Sequence, residues 1–268
     1  MATRTPAGSI GVARPTRRAW YVIERNALVY RRAPVVLFSG FFEPVFYLLS
    51  MTVGVGALVG DVTLPDGTSV PYPAYVAPAL LAASAMNGAF YESTYQLFLK
   101  LLEGKTYRGM LATPVTVADM AAGEIGWSMV RGGLYAAGFL TMAVAAADVR
   151  SRWALAAFPA ALLICAAFAA AGQTLTTTFR SLADFDRVQL VALPLFLCSA
   201  TFFPLSAYPR WAEVVVAATP LYQGVALERA LFLGDVHPGL LGHVAYLVAM
   251  TGVFGVVASR RIHRRMLA

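Results

Sequence analysis

Long apolar runs alternate with short polar passages along most of the chain. An α-helix needs about 20 residues to cross the hydrocarbon core of a bilayer. Six runs reach or approach that length, so the pattern predicts an all-α integral membrane protein with six spans. The approximate bounds of the spans are residues 34–59, 74–99, 120–147, 153–178, 188–205 and 240–258.

A polar passage at residues 104–125, GKTYRGMLATPVTVADMAAGEI, separates the second run from the third. It carries charges and a proline, Pro114, whereas the runs on either side are almost continuously apolar. We therefore expect a soluble partner to bind here. Thr116 is a candidate N-cap for the helix that continues into the third run, with Asp119 three positions later.

Residues 16–33 have helical periodicity, and their apolar and basic side chains lie on opposite sides. This pattern is typical of a helix in the membrane interface, and an amphipathic core helix is the alternative. The apolar side consists of Trp20, Ile23, Ala27 and Tyr30, and the basic side of Arg18, Arg25 and Arg32.

Residues 206–239 are too apolar for a solvated loop, yet prolines and charges divide them into pieces too short to cross a bilayer. Two short re-entrant helices in the outer leaflet satisfy both constraints, because backbone at membrane depth must be hydrogen-bonded within helices or shielded by protein. A seventh span is the alternative. It would place the basic C-terminal segment outside the cell, against the usual charge distribution.

Composition supports a membrane protein, since 59% of the residues are hydrophobic and only 13% are charged. A soluble domain carries about 25% charged residues. The net charge of +7 does not indicate nucleic-acid binding, because the basic residues flank apolar runs instead of forming one face. Cys165 and Cys198 lie in apolar runs and are interpreted as small buried hydrophobes.

The distribution of basic residues predicts the orientation, because lysine and arginine are retained on the cytoplasmic side in short loops. With the N-terminus inside, most of the 21 basic residues are cytoplasmic. Both termini are therefore expected in the cytoplasm, as a disordered tail at residues 1–15 and a basic tail at residues 259–268. The abundance of arginine and alanine suggests a high-GC bacterium, and hence its inner membrane.

The chain lacks the sequence motifs of common enzymes. GxxxxGK[ST], HExxH, GxSxG and metal-ligand His/Cys clusters are all absent from the sequence. We therefore expect no catalytic residues, no metal and no cofactor bound by this chain. His237, His243 and His263 are interpreted as topological or packing residues.

Four ionisable residues fall within predicted spans, where a charge usually faces protein, a partner or water. Glu124 and Arg131 share a helical face but lie about 10 Å apart along the axis, so Arg131 is expected to meet a carboxylate from another helix. One interpretation is an ion-pair cluster at the inner end of the bundle, and the other is substrate contact or gating. The four residues are Glu43, Glu92, Glu124 and Arg131.

The chain resembles the membrane-spanning subunit of ABC-2 type ABC transporters, closest to the nodulation-factor and lipooligosaccharide exporter branch. The resemblance covers most of the chain. It rests on ERN at residues 24–26, SGFFEPVFYLLSMTVGVGALVG from Ser39, KTYRGMLATPVTVADMAAGEI from Lys105, and FFPLSAYPRW to TPLYQGVALERA from Phe202.

The resemblance implies a coupling helix at residues 104–119 that docks on a separate ATPase subunit, with ATP and magnesium bound on that subunit. Two permease subunits, expected to be a homodimer in membrane lipid, would assemble with two ATPase subunits. The short loop at residues 181–186 is a candidate second contact. The residues assigned to ATPase coupling are Gly104, Lys105, Thr106, Tyr107, Arg108, Pro114, Thr116 and Asp119.

The resemblance also implies a substrate route near the dimer interface, formed largely by the first and fifth spans. Aromatic side chains on these spans face either an amphipathic substrate, or lipid and one another. Export of a glycolipid-like or hydrophobic molecule is expected, with drug efflux as the alternative; an ATPase-independent secondary transporter and a membrane-embedded enzyme are the rival classes. The candidate route residues are Phe41, Phe42, Phe46, Tyr47, Phe196, Phe202 and Phe203.

Overall fold

The computed structural model describes residues 17–32, 42–64, 67–103, 105–146 and 151–267. Helices account for most of these residues. The helices are α1 (Ala19–Tyr30), α2 (Phe42–Ser50), α3 (Tyr72–Tyr91), α4 (Lys105–Leu111), α5 (Val117–Ala146), α6 (Ala157–Thr176), α7 (Asp186–Leu197), α8 (Arg210–Ala218), α9 (Pro220–Leu233) and α10 (Leu240–Leu267). Helix α2 is continued by a π-helical turn at Met51–Val55 and by Gly56–Val59, and α3 by a π-helical turn at Glu92–Gln96 and by Leu97–Glu103. Short 3-10 turns precede α6 (Arg152–Ala156), α7 (Leu182–Phe185) and α8 (Leu205–Ala207).

The prediction of an all-α protein needs one correction, at the connection between α2 and α3. Strands β1 (Asp61–Thr63) and β2 (Ser69–Pro71) form an antiparallel hairpin in which Val62 lies opposite Val70. β-branched residues favour this extended conformation, and Gly67 supplies a positive φ of 84° next to the turn.

Helix α3 lies at the centre of the bundle, where α5, α6 and α9 pack against it. Most of its side chains between Tyr72 and Phe90 are buried, and the run of alanines lets neighbouring backbones approach closely. At Gly172 in α6 a Cβ atom would collide with the Ser93 hydroxyl. Small residues therefore set the spacing between α3 and α6.

Two of the described helical segments are long and apolar enough to cross a bilayer on their own: Arg152–Thr176 and Leu240–Met266. A shorter apolar helix covers Val45–Val55. Helices α3 and α5 contain charged residues within their length, including Glu92, Lys100, Glu124 and Arg131, which reduces their apolar character. The count of six spans remains a prediction.

The fifth predicted span is shorter in the structure, because α7 ends at Leu197 and not at Leu205. Pro194 within the helix and Pro204 beyond it disfavour continued helix, and Ala200 takes a positive φ of 53°. Helices α8 and α9 have 9 and 14 residues. At 1.5 Å per residue they measure about 13 Å and 21 Å, less than the roughly 30 Å thickness of the hydrocarbon core.

Candidate functional site

Two buried carboxylates, from Glu92 in α3 and Glu124 in α5, organise the polar interior of one end of the bundle. The Glu124 side chain is paired with Lys100, whose Nζ lies 2.7 Å and 2.9 Å from its two oxygens. The Asn26 amide donates to Glu124 at 3.0 Å and the Tyr107 hydroxyl at 3.2 Å. Helices α1, α3 and α4 therefore all contact α5 through one carboxylate.

Glu92 occupies the first position of the π-helical turn in α3 and is 2% exposed. Arg131 forms an ion pair with it, the Tyr30 hydroxyl lies 2.9 Å from both of its oxygens, and the Trp127 indole donates at 3.0 Å. The Thr94 hydroxyl donates to the Phe90 carbonyl at 2.7 Å, which helps satisfy the backbone that the π turn leaves without regular α-helical bonds.

Helix α1 bridges the two carboxylates. Asn26 and Tyr30 are four residues apart and therefore lie on one helical face, from which the first donates to Glu124 and the second to Glu92. Gly123 in α5 makes room for α1, because a Cβ atom there would lie 2.7 Å from the Ala19 carbonyl oxygen.

The tyrosines of α1 and α4 that contact the carboxylates are held protonated. Burial, reinforced by Glu92, raises the pKa of Tyr30 above its ordinary value. Burial, reinforced by Glu124, likewise raises the pKa of Tyr107. Both hydroxyls therefore act as donors, each to a carboxyl group that also pairs with a cation.

The segment assigned to ATPase coupling packs against this end of the bundle. Tyr107 of α4 is 1% exposed and forms a small apolar cluster with Leu97 and Met120. The Pro114 carbonyl accepts a hydrogen bond from Arg18 of α1. The segment therefore contacts α1 as well as α3 and α5.

The helix cap predicted at Thr116 is present. The Thr116 hydroxyl accepts from the Asp119 backbone at 3.1 Å, and the Asp119 carboxylate accepts from the Thr116 backbone at 3.0 Å. This reciprocal capping box fixes the start of α5, with Asp119 in place of the more common glutamate.

Several predicted site residues lie wholly or partly outside the described residues. The structure does not describe Phe41 and Gly104. It describes the backbone but not the side chains of Glu43, Lys105, Thr106 and Arg108. Among the rest, the structure brings Glu92 and Arg131 together, whereas Glu124 pairs with Lys100 and not with Arg131.

Sequence reasoning missed several members of this network. The sequence does not single out Lys100, and it places Asn26 only in the ERN motif and Tyr30 only on the apolar side of the amphipathic helix. The signal that could have found them is the spacing of Asn26 and Tyr30, which places two polar groups four residues apart next to Val22 on what becomes the buried face of α1. Trp20 and Ala27, predicted on the apolar side, remain exposed to the surroundings.

Four of the candidate route aromatics line one cavity of about 670 Å³ between α2, α7 and the β1–β2 hairpin. Tyr47 and Phe196 meet edge to face at 5.8 Å, and Phe196 and Phe202 at 5.3 Å. Phe203 is the fourth of the aromatic residues that line this cavity. Phe42 and Phe46 do not line it, and they stack on one another at 6.4 Å on an exposed side of α2.

A second, smaller cavity of about 240 Å³ adjoins the first through Tyr47 and Phe196. Its wall is more polar, with Ser84 and Asn87 from α3 and Gln189 from α7. A third cavity of about 560 Å³ shares Gln189 with the second and reaches Arg131. The three together follow the cleft between α2, α3 and α7 from the carboxylate network to the hairpin.

Within the described part of the chain, no cluster of three or more His, Cys, Asp or Glu side chains is arranged to hold a metal ion. The buried carboxyl groups of Glu92 and Glu124 are instead bonded to cations and to hydroxyl, amide and indole donors. What this site can do chemically is hold α1, α3, α4 and α5 together.

A helical membrane protein with a buried charge network and a cleft between its helices has the character of a transport subunit. The family model described as ABC-2 type transporter matches residues 17–233, and the chain therefore belongs to the ABC-2 type transporter family. It is a membrane permease of that family, with a transport role and not an enzymatic one.

The relatives narrow this to one branch of the family. Nodulation protein J of Rhizobium leguminosarum bv. viciae is 29% identical over 92% of this chain and 95% of the relative. Nodulation protein J of Bradyrhizobium diazoefficiens is 31% identical over 92% of both chains. The protein of the same name from Rhizobium meliloti is 28% identical over 92% of this chain and 94% of the relative. The chain is therefore an ABC-2 permease of the nodulation protein J branch.

Proposed function

We propose that this chain is the membrane-spanning subunit of a bacterial ABC exporter, which moves an amphipathic, lipid-linked or hydrophobic substrate outward using ATP hydrolysed on a separate subunit. Family membership supports the class. The observation that carries the mechanism is the hydrogen bond from Tyr107 in the coupling segment to Glu124 inside the bundle.

The proposed topology has six spans, both termini in the cytoplasm, and α8 and α9 as re-entrant helices in the outer leaflet. The first span contains α2, the second α3, the third α5, the fourth α6, the fifth α7 and the sixth α10. The carboxylate network then lies at the cytoplasmic end and the hairpin at the outer end. The basic residues of α10 fit this orientation, because Arg265 donates to the Phe179 carbonyl at 2.6 Å beside the cytoplasmic end of α6.

Coupling would begin when ATP and magnesium bind to the partner ATPase subunits and these close. Movement of residues 104–119 would reach α5 through the Thr116 cap and through Tyr107, and it would reach α1 through the contact between Pro114 and Arg18. Because Glu124 and Glu92 share α1, displacement of one carboxylate would be transmitted to the other. Arg131, paired with Glu92, lines the inner end of the cleft.

The substrate route would follow the cleft between α2, α3 and α7. Its inner half offers the amides of Asn87 and Gln189, and its outer half is apolar and aromatic. A molecule with a polar head and an apolar tail matches both halves. The resemblance to lipooligosaccharide exporters favours such a substrate. In a homodimer, the exposed aromatics of α2 would face the second permease subunit or lipid.

The test is a reconstituted complex of the permease with its ATPase partner in proteoliposomes. Tyr107→Phe removes one hydroxyl and keeps the packing of the ring, and we expect substrate-stimulated ATP hydrolysis to fall about tenfold, since a hydrogen bond to a charged group contributes about 1.5–3 kcal/mol. Arg108→Glu and Asp119→Ala should also lower it.

Tyr21→Phe is the matched control, because Tyr21 lies on the exposed side of α1 and is 63% exposed. Co-purification of the ATPase subunit with each variant separates lost assembly from lost coupling. Normal assembly with unchanged stimulation in Tyr107→Phe would contradict the proposed coupling route. Failure of the wild-type chain to retain any ATPase subunit would contradict the exporter assignment.

A further inference from the structure

The end of α7 is held in a conformation that its own sequence does not favour. After Leu197 the chain leaves the helix, and Ala200 takes a φ of +53°, where it is the only non-glycine among the described residues with positive φ. A residue with a Cβ atom adopts this conformation only when its surroundings determine it. Residues 198–204, called here the closure segment, therefore need an external restraint.

Arg229 of α9 supplies that restraint. One of its terminal guanidinium nitrogens donates to the Ala200 carbonyl oxygen at 2.8 Å. The guanidinium carbon lies 3.9 Å from the centre of the Tyr75 ring in α3, which is a close cation–π contact. The Nε atom also lies 3.4 Å from the Tyr75 carbonyl oxygen. One side chain thus ties the closure segment to two helices.

The contacts of Arg229 are unusual for a half-buried cation, because an ion pair with a carboxylate is not among those found in the described part of the chain. The carbonyl of a strained residue and an aromatic face bind a guanidinium with less Coulombic attraction than a carboxylate does. Such contacts hold the cation in place but release it without leaving a buried anion behind. This combination suits a contact that must open repeatedly.

The closure segment also forms part of the wall of the aromatic cavity. Phe202, Phe203 and Pro204 line this cavity together with residues of α2 and the hairpin. Ser199 and Thr201 face inward and are 0% exposed, and the Thr201 hydroxyl donates to the Phe196 carbonyl at 3.0 Å. If the segment moved, the cavity would open at its hairpin end.

We propose that Arg229 is a latch that holds the closure segment over the outer end of the cleft, and that it releases the segment when the permease discharges substrate. The proposal rests on the proposed export function for the direction of movement. The latch itself, a guanidinium shared between Tyr75 and Ala200, is testable without any substrate.

Ser199 provides the reporter, because its side chain is buried in the latched conformation. In the background Cys198→Ser, the thiol introduced by Ser199→Cys reacts with a maleimide only when the closure segment opens. The remaining native cysteine, Cys165, is fully buried in α6 and reports unfolding in the same sample. The rate of modification is measured on the purified full chain in detergent micelles, by mass of the labelled peptides.

Arg229→Met keeps the length and apolar stem of the side chain but removes the guanidinium. We expect the modification rate at position 199 to rise about tenfold or more, since both a cation–π contact and a charge-assisted hydrogen bond are lost. Arg210→Met is the matched control, because it makes the same substitution at an arginine that is exposed at the start of α8. It should leave the rate unchanged.

An unchanged rate in Arg229→Met, with Cys165 still protected, would overturn the proposal. If Cys165 becomes exposed in Arg229→Met, the variant Arg229→Lys is used in place of Arg229→Met, because the lysine ammonium keeps the charge but lacks the planar guanidinium. A severalfold faster rate is then expected, and parental behaviour in the folded Arg229→Lys protein would overturn the latch.

The same reporter separates this proposal from the export function. In the complex with the ATPase subunit, addition of ATP should accelerate modification of the parental reporter if the latch opens during the cycle. A further outcome is that Arg229→Met accelerates modification in the isolated chain while ATP has no effect in an active complex. This pair of results would overturn release of the latch during transport but would leave the latch itself supported. A chain that binds no ATPase subunit would instead refute the export function.

Discussion

Among the described residues three glutamates are buried, two beside α1 and one in α9, and their surroundings differ sharply. Glu92 and Glu124 each have a cationic partner and at least two further hydrogen-bond donors. In α9, Glu228 is 0% exposed, and neither of its carboxyl oxygens has a hydrogen-bond partner among the described residues. Glu92 and Glu124 thus connect helices through hydrogen bonds, whereas the Glu228 carboxyl group makes none among the described residues.

The difference follows from what each position is surrounded by. Glu92 and Glu124 face α1, which brings amide and hydroxyl donors into the bundle. Glu228 lies four residues after Gly224 and therefore on the same face of α9, and Gly224 packs on Ile164 of α6. An ionised carboxylate in such an apolar environment would be very unfavourable. The inner glutamates therefore join helices, whereas Glu228 weakens the region that contains it.

The largest effect is expected at Glu92. Glu92→Ala removes the carboxylate to which Arg131, Tyr30 and Trp127 donate, and removal of one partner of a buried ion pair costs about 3–5 kcal/mol. The measurement is thermal unfolding of the purified chain in detergent, followed through exposure of the Cys165 thiol in the Cys198→Ser background.

Glu92→Gln is the control for this change, since the amide oxygen still accepts from Tyr30 and Trp127 while the charge that balances Arg131 is lost. Its unfolding midpoint should lie between those of the parent and Glu92→Ala. An alanine variant as stable as the parent would show that the pair adds nothing to the bundle.

A smaller effect is expected where α1 docks. In Gly123→Ala the new methyl group would meet the Ala19 carbonyl and the Val22 side chain, and overpacking of this kind costs about 1–3 kcal/mol. Because α1 would be displaced, trypsin should cleave after Arg25 more rapidly than in the parent.

Gly252→Ala in α10 is the matched control, since a Cβ atom there meets nothing within 4 Å. That variant should keep the parental cleavage rate and gain about 0.5–1 kcal/mol from lower backbone entropy in the unfolded state. Parental cleavage of Gly123→Ala would mean that α1 tolerates the displacement.

The sequence predicts the class of protein and the segments that contain Glu92, Glu124 and Arg131. It does not predict which side chains pair with these residues. Apolar runs identify α6 and α10 directly, and Thr116 identifies the start of α5, because these signals are local. The pairing of Lys100 with Glu124 depends on how α3 and α5 pack, and no local spacing encodes it. The hairpin and the early end of α7 were missed for a related reason, since short apolar runs do not distinguish strand, helix and irregular chain.

An effect of opposite sign is expected at Glu228. Glu228→Leu replaces a buried group that has no hydrogen-bond partner with an apolar side chain of similar size, and relief of an unsatisfied polar group is worth about 1–3 kcal/mol. The variant should therefore unfold at a higher temperature than the parent in the Cys165 assay, whereas Glu92→Leu should unfold at a lower one. Glu228→Gln, which keeps the shape and a polar head, should remain close to the parent. Destabilisation by Glu228→Leu would show that the Glu228 carboxyl group has a stabilising partner, as the carboxyl groups of Glu92 and Glu124 do.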